Sequence, residues 1–322
     1  MPYAVKPIPF KPHRLDGLSD RLLESHYEND YGGAVRRLNA IEARLAALDW
    51  ADAPAFEIRG LKREEVIAAN AMLLHEVYFE GLGGGGGDPS GPLADTLERD
   101  FGSPAAWREA FAALGKALAG GPGWALLVWS PRRGRLLNLW AADHAQVPAD
   151  ARPILALDLY EHAYHLDFGA NVGAYVEAFL RNLDWERIAA RYAAVIEPGA
   201  AERETATPWQ ISVAALRAAQ EDPERAPLVL DVGLPDDLER SGRQLPGTPW
   251  RDMETVEHWA DALPRDRQVV VYCMYGFWVS QDTAAALYAR GLDVLSLEGG
   301  ILAWRAMGYP TTPIKRNREG GS

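Results

Sequence analysis

The spacing of apolar residues in the first 118 positions is that of amphipathic helices. Leu, Tyr, Val and Ile recur at steps of three and four residues, and Ser19, near the start of the first such run, is a plausible N-cap. Five consecutive glycines at 83–87 are too flexible for helix or strand and predict a loop. The helices predicted from this spacing cover residues 18–47, 61–82, 92–100 and 104–118.

The periodicity then changes to that of strands. Residues 124–129 (WALLVW) and 136–140 (LLNLW) flank a turn-like PRRG, and 154–157 is a third short apolar run. Residues 160–192 return to helical spacing. This order predicts an α+β domain, with a helical hairpin followed by an α/β half that contains a small antiparallel sheet.

The last third of the chain alternates strand and helix. Continuous apolar runs such as LVLDV and QVVVYC are typical of strands buried on both faces of a parallel sheet, which predicts an α/β domain. The predicted strands are 228–232, 268–273 and 294–297, and the predicted helices are 280–290 and 302–307. A polar stretch with Pro and Gly separates the two patterns. We expect domains at 1–196 and 208–322, joined by a linker at 197–207.

Composition narrows the function classes. The 322 residues fit two domains, and a 48% hydrophobic content suffices for two cores. No apolar run is long enough to cross a bilayer, and residues 1–14 lack the apolar core of a signal peptide. Cys273 is the single cysteine, which suits a reducing, cytoplasmic setting. A net charge of −12 argues against a nucleic-acid partner, and it requires local positive charge wherever an anion binds.

Three histidines stand out as candidate metal ligands. His26 and His75 lie on predicted apolar helices, and His162 follows Asp158 by four residues. Imidazoles together with a carboxylate suit a redox metal that keeps an open position for a small ligand. From spacing alone, however, a histidine on an apolar helix face is more often a hydrogen-bonded core residue.

Several motifs in the first domain resemble those of the iron/manganese superoxide dismutases. ILALDLYEHAYHLDF (154–168) is similar to their D-x-W-E-H-A-Y signature, and NAMLLHEVYFEGL (70–82) to their N-H-S-L-F-W helix. FGSPAAWREAF, GPGWALLVW and the first-ligand helix SHYENDYGGAVRRLN also match in order. The resemblance spans residues 15–195.

The resemblance implies a function and a ligand set. It implies one iron or manganese ion per subunit, which converts superoxide to dioxygen and hydrogen peroxide, in a homodimer formed through the N-terminal domain. The implied metal ligands are His26, His75, Asp158 and His162. The residues implied to surround them or to lie at the dimer contact are Asp30, Phe79, Trp124, His144, Tyr160, Glu161 and His165.

The chain departs from the family pattern beside the ligands. Ala34 stands where most members have the Tyr at the substrate gateway, and Asp30 stands where they have His. His144 is the best counterpart of the Gln that lies beside their metal ligands. We expect Asp30 to pair with His165 of the partner subunit, and Glu161 to reach His162 of the partner subunit. Alternatively, Asp30 and His165 are solvated helix residues. These departures also leave open a metal-binding scaffold of low dismutase activity.

Cys273 lies between a predicted strand and a predicted helix. Backbone N–H groups at such a turn stabilise a thiolate, which suits a nucleophile; the alternative is a buried, inert cysteine. The loop CMYGFWVS and the ending LEGGILAWRAMGYPT resemble the rhodanese family over residues 207–313. That resemblance implies a Cys273 persulfide formed from a sulfane-sulfur donor. Trp278 and Gly233 replace two arginines of the family, so a thiol-sensing or binding role is the competing interpretation.

Overall fold

The computed structural model describes residues 2–118, 121–196, 209–222 and 225–314. Contacts divide the chain into two compact units, Ile8–Glu204 and Thr205–Ser322, with Ala4–Pro7 grouped with the second. The predicted linker, 197–207, lies outside the described residues. The domain boundaries therefore stay a prediction.

Helices precede and follow the strands of the first unit along the chain. In chain order they are α1 (Asp20–Ser25), α2 (Gly32–Ala46), α3 (Ala55–Glu80), α4 (Gly91–Phe101), α5 (Pro104–Ala117), α6 (His165–Phe168), α7 (Val172–Arg181) and α8 (Trp185–Ile196). Short 3-10 turns lie at Pro12–Arg14 and Glu161–Ala163. Ser19 caps α1 as predicted, because its side chain accepts a hydrogen bond from the Leu22 backbone N–H.

A π-helical turn at His26–Tyr31 connects α1 to α2. The predicted helix over 18–47 is therefore one helical stretch that widens for six residues at the first candidate ligand. Such turns add one residue to a helix and commonly occur at functional sites. Leu22 and Leu23 on α1 are fully buried, and each contributes about 1.5–3 kcal/mol of burial free energy to anchoring this helix.

The sheet of the first unit is antiparallel, with order β2–β1–β3. Its strands are β1 (Trp124–Ser130), β2 (Arg135–Ala141) and β3 (Arg152–Asp158). Trp124 at the start of β1 pairs with Asp158 at the end of β3, and a register shift between Leu127 and Val128 interrupts that ladder. The α+β fold class predicted for this domain is confirmed.

The region 160–192, predicted to be helical, is divided into several helices. Glu161–Ala163 forms a 3-10 turn, and α6, α7 and α8 follow as separate helices. Gly169 adopts a positive φ of 54° after α6, and Asn171 caps α7 through its side chain. These two positions stop a continuous helix that the apolar spacing alone permits.

The second unit is α/β with a parallel four-stranded sheet, which confirms its predicted class. The sheet order is β4–β8–β7–β5, and all three strand pairings are parallel. Its strands are β4 (Gln210–Ile211), β5 (Leu228–Asp231), β6 (Arg243–Gln244), β7 (Val269–Tyr272), β8 (Val294–Leu297) and β9 (Thr312–Pro313), of which β6 and β9 pair separately. All four residues of β7 are buried, as a central parallel strand requires.

The second unit also contains helices. They are α9 (Val213–Ala219), α10 (Pro235–Ser241), α11 (Val256–Trp259), α12 (Trp278–Tyr288) and α13 (Gly300–Ala306). Of these, α12 packs against β7 and β8. The core joins the apolar residues of β5, β7 and β8 to Leu287 and Val279 of α12. Helix α12 begins at Trp278, two residues before the predicted start.

Candidate metal centre

Four side chains from distant parts of the first unit meet at one point. His26 opens the π-helical turn, His75 lies on α3, Asp158 ends β3, and His162 lies in the following 3-10 turn. One ligand atom from each lies within 4.8 Å of all the others. Asp158 Oδ2 lies 3.1 Å from His26 Nε2, 3.1 Å from His162 Nε2 and 3.4 Å from His75 Nε2.

The tautomer of His75 suits a metal ligand. Its Nδ1 lies 2.6 Å from the Ala71 carbonyl oxygen, which can only accept, so Nδ1 carries the proton. The lone pair is then on Nε2, which is buried and has no hydrogen-bond partner among the described residues. A buried polar atom without a partner is costly unless an ion or water satisfies it.

Protonation in the metal-free chain differs among the ligands. Burial lowers the pKa of His75 to about 3 and also lowers that of His26. Burial opposes ionisation of Asp158, but His162 and His26 beside it hold its pKa below the ordinary value. Burial likewise opposes charging of His162, but Asp158 and Asp30 raise its pKa. Three of the four groups are thus deprotonated over a wide pH range and ready to bind a cation.

Aromatic rings enclose the cluster. Phe79 lies 5.1 Å from the His26 ring, Trp124 lies 5.2 Å from the His75 ring, and Tyr160 stacks on His162 at 5.6 Å, all between centroids. Phe79 and Trp124 are almost fully buried. These three side chains lower the dielectric around the ligands.

His144 lies beside the cluster, with its ring centroid 6.3 Å from that of His75. Trp124 Nε1–H donates a hydrogen bond of 3.0 Å to His144 Nδ1. In the neutral ring the proton is then on Nε2, which makes Nε2–H a donor for a small oxygen ligand. Tyr160 stacks on the other side of this ring at 4.9 Å and 12° between planes, so the ring is held in place.

Asp30 contacts a ligand of its own chain. Its Oδ1 lies 3.3 Å from His162 Nδ1, on the opposite side of the ring from Asp158. Glu161 and His165 are both exposed. The pairing of Asp30 with a partner's His165 stays a prediction, as does the reach of Glu161 across a dimer.

A buried Tyr31–Glu76 pair beside His75 escaped the sequence reasoning. Tyr31 Oη donates to Glu76 Oε1 at 3.2 Å, and the Tyr31 ring stacks on His75 at 6.2 Å. Glu76 directly follows a ligand and is 8% exposed. An acidic residue on an otherwise apolar helix face was the available signal, since buried carboxylates need a partner.

The cluster is accessible from solvent at His162. A cavity of about 340 Å³ is lined there by His162 together with Tyr160, Glu161 and Tyr164. His26 and Asp158 are fully buried, whereas the His162 side chain is 29% exposed. A small molecule can therefore approach the cluster from this side.

Cys273 follows β7 in the second unit and is 5% exposed. Its Sγ–H lies 3.3 Å from Ser280 Oγ on α12. Gly276 and Gly300 near it have positive φ, and a Cβ at Gly300 would lie 2.3 Å from the Cys273 carbonyl oxygen. The loop therefore folds tightly around the thiol and depends on these glycines.

The lining beside Cys273 is acidic as well as basic. Asp231, Asp237 and Arg243 line the same narrow cavity as the thiol. Asp231 accepts a hydrogen bond from the Gly233 backbone N–H, and burial raises its pKa to about 6. Trp278 is 43% exposed at the first turn of α12, where the family resemblance would place an arginine. The loop thus lacks the cation expected for an anionic sulfur donor.

An α+β unit that gathers three imidazoles and one carboxylate at a buried point defines a metal-binding protein of the non-haem redox type. The family described as iron/manganese superoxide dismutases, C-terminal domain, matches residues 89–191, and the rhodanese-like domain family matches residues 212–307. The chain belongs to the iron/manganese superoxide dismutase family and carries a rhodanese-like domain.

Curated relatives match the first part of the chain. The superoxide dismutase (Fe) of Cupriavidus metallidurans is 58% identical over 196 residues, which cover 61% of this chain and 99% of the relative. Superoxide dismutase (Mn) 2 of Haloferax volcanii is 34% identical over 201 residues, covering 61% and 98%. The superoxide dismutase (Fe) of Aquifex aeolicus is 34% identical over 189 residues, covering 56% and 87%.

No helix in the described residues is a candidate membrane span. None of these helices combines the length and the apolarity that a bilayer span requires.

Proposed function

We propose that this chain is a superoxide dismutase that uses one iron or manganese ion per subunit, held by His26, His75, Asp158 and His162. The observation that carries the proposal is the convergence of three imidazole nitrogens and one carboxylate oxygen within 4.8 Å, with the His75 lone pair unpartnered and aimed at the cluster. Relatives named for iron and for manganese both match this part of the chain.

The bound ion supplies one-electron chemistry, by which one superoxide loses an electron to become dioxygen and the next gains it, with two protons, to become hydrogen peroxide. The residues of the chain do the rest. His144 presents its Nε2–H as a hydrogen-bond donor to the oxygen substrate, and Trp124 and Tyr160 fix that ring. Phe79 excludes water from the His26 side. Substrate enters by the cavity at His162.

The chain acts as a homodimer in this proposal, with the first unit forming the contact. Glu161 and His165 are exposed beside the ligand turn, and Leu166 between His165 and Asp167 is 48% exposed. Sedimentation at micromolar concentration tests this: a monomer that retains full metal and activity contradicts it.

The test of dismutation combines metal analysis with inhibition of cytochrome c reduction by enzymatically generated superoxide. His162→Ala should lose both metal and activity, because it removes one ligand of four. His13→Ala is the matched control, since His13 is an exposed histidine of the same unit outside the cluster. Protein that holds one metal ion per chain yet leaves the superoxide signal unchanged would instead be a metal-binding scaffold.

A second candidate activity is sulfur transfer at Cys273, and it rests on the match to the rhodanese-like family. The thiolate would take the outer sulfur of thiosulfate and release sulfite. Cyanide would then remove that sulfur as thiocyanate and restore the thiolate. Asp231, Asp237 and the absent loop arginine predict a low rate with this anionic donor. Equal thiocyanate release by the native chain and by Cys273→Ser would refute the activity.

A further inference from the structure

A cavity of about 460 Å³ in the first unit lies apart from the residues of the metal cluster. Three arginines line it. Arg14 ends the first 3-10 turn, Arg108 lies on α5, and Arg181 ends α7. Asp16 and Asp88 line it as well. A concentration of guanidinium groups in one cavity is unexpected in a chain of net charge −12.

The three arginines differ in how their charges are compensated. Arg181 Nε donates to Asp16 Oδ2 at 3.0 Å, so these two charges compensate each other. Arg108 Nη1 donates to the Leu180 carbonyl oxygen at 3.3 Å, and Arg108 also interacts electrostatically with Glu177, whose ion pair is with Lys116. Within the described part of the chain, neither Arg14 nor Arg108 forms an ion pair. With Asp88 as the remaining carboxylate, the cavity keeps an excess of one positive charge.

The five-glycine loop forms one wall. A Cβ at Gly84 would lie 2.3 Å from the Leu183 carbonyl oxygen, and one at Gly86 would lie 2.7 Å from that of Arg181, so packing against the end of α7 requires both glycines. Gly85 differs, because its φ is not positive and a Cβ there would meet no atom within 4 Å. Neither packing nor backbone geometry requires glycine at 85, and Gly85 lines the cavity.

We propose that this cavity binds the phosphoryl group of a small phosphorylated molecule. Arginine forks match phosphate oxygens in geometry. The backbone N–H groups of Gly83, Gly84 and Gly86 donate to the carbonyl oxygens of Asn182 and Leu183, so the loop offers the anion the N–H groups of Gly85 and Gly87. The volume exceeds what a bare anion fills and lies in the range of small-molecule sites, about 300–1,000 Å³. Asp88 accepts hydrogen bonds from the hydroxyl groups of the ligand. A nucleotide and a sugar phosphate share this chemistry.

The test is isothermal titration of the metal-loaded full chain with inorganic phosphate, AMP and ribose 5-phosphate. We expect one saturable site for the two organic phosphates and weaker binding of inorganic phosphate. Adenosine and ribose, which lack the phosphoryl group, should not bind. The tighter of the two organic phosphates identifies the ligand as nucleotide or sugar phosphate, and either result supports the site.

Variants connect binding to the cavity. Arg14→Ala and Arg108→Ala should each weaken binding about tenfold or more, because each removes a charge-assisted hydrogen bond. Arg63→Ala is the matched control, since it removes the same charge from an exposed position on α3. Gly85→Ala should weaken binding without lowering the melting temperature. Absence of saturable binding, an equal loss in Arg63→Ala, or phosphate binding as tight as that of the organic phosphates would overturn the proposal.

Discussion

Acidification should release the metal, with one proton bound for each ion released. Metal binds the deprotonated ligands. Burial lowers the pKa of His75 to about 3, and the pKa values of His26 and Asp158 are also lowered, so these three groups take up protons at lower pH than the free groups do. Only His162 has a raised pKa, so it is protonated in the metal-free chain below its ordinary value of about 6.5. As the pH falls below about 6.5, the affinity should therefore fall about tenfold per pH unit while His162 is the one ligand that binds a proton.

The measurement is metal content after equilibration in buffers of known free metal concentration, at half-unit steps of pH. Asp30→Asn should move the onset of release to lower pH, because Asp30 is one of the charges that raise the pKa of His162. Asp52→Asn, an exposed position in the loop between α2 and α3, removes the same charge and should leave the onset unchanged. A slope of two, or of zero, would refute the assignment of His162 as the titrating ligand.

Further predictions follow from single contacts. Trp124→Phe should lower the free energy of unfolding by about 1–3 kcal/mol and reduce dismutation, since it leaves His144 Nδ1 without a donor. Chemical denaturation measures the first effect and the superoxide assay the second. Unchanged turnover would contradict the role of His144. Gly86→Ala should cost more than 1 kcal/mol in the same denaturation experiment, because φ is 65° and the Cβ meets backbone, whereas equal stability of Gly86→Ala and Gly85→Ala would contradict this packing. Cys273→Ser should leave the dismutase rate per metal ion unchanged, and a parallel loss would show that the thiol contributes to it.

The sequence allowed the fold classes and the strands of the first sheet to be predicted because their apolar periods are long and regular. It predicted helical structure for residues 160–192 but not the breaks in that region, where Gly169 and Asn171 divide a run whose apolar spacing is helical throughout. The short elements β4, α9 and α10 were not predicted either. Each has seven residues or fewer, which is too short for a period to be recognised.

The ligands were predictable only through motifs, since spacing alone could not distinguish His26 and His75 from core histidines. Contacts between distant segments had no sequence signal. The tautomer of His75 depends on the Ala71 carbonyl, and the approach of Asp30 to His162 depends on how far the π-helical turn rotates residue 30. The arginine cavity likewise joins residues 14, 108 and 181, which no local pattern relates.

The π-helical turn makes the position of His26 sensitive to chain length. Removing any one residue from 26–31 would let the segment close into an ordinary α-helix, and each α-helical residue turns the chain by about 100°. Helices α1 and α2 could both persist after such a deletion. However, the His26 side chain and α2 could not both keep their present contacts. We therefore expect homologues with a one-residue gap in this stretch to retain both helices but to lose the metal site.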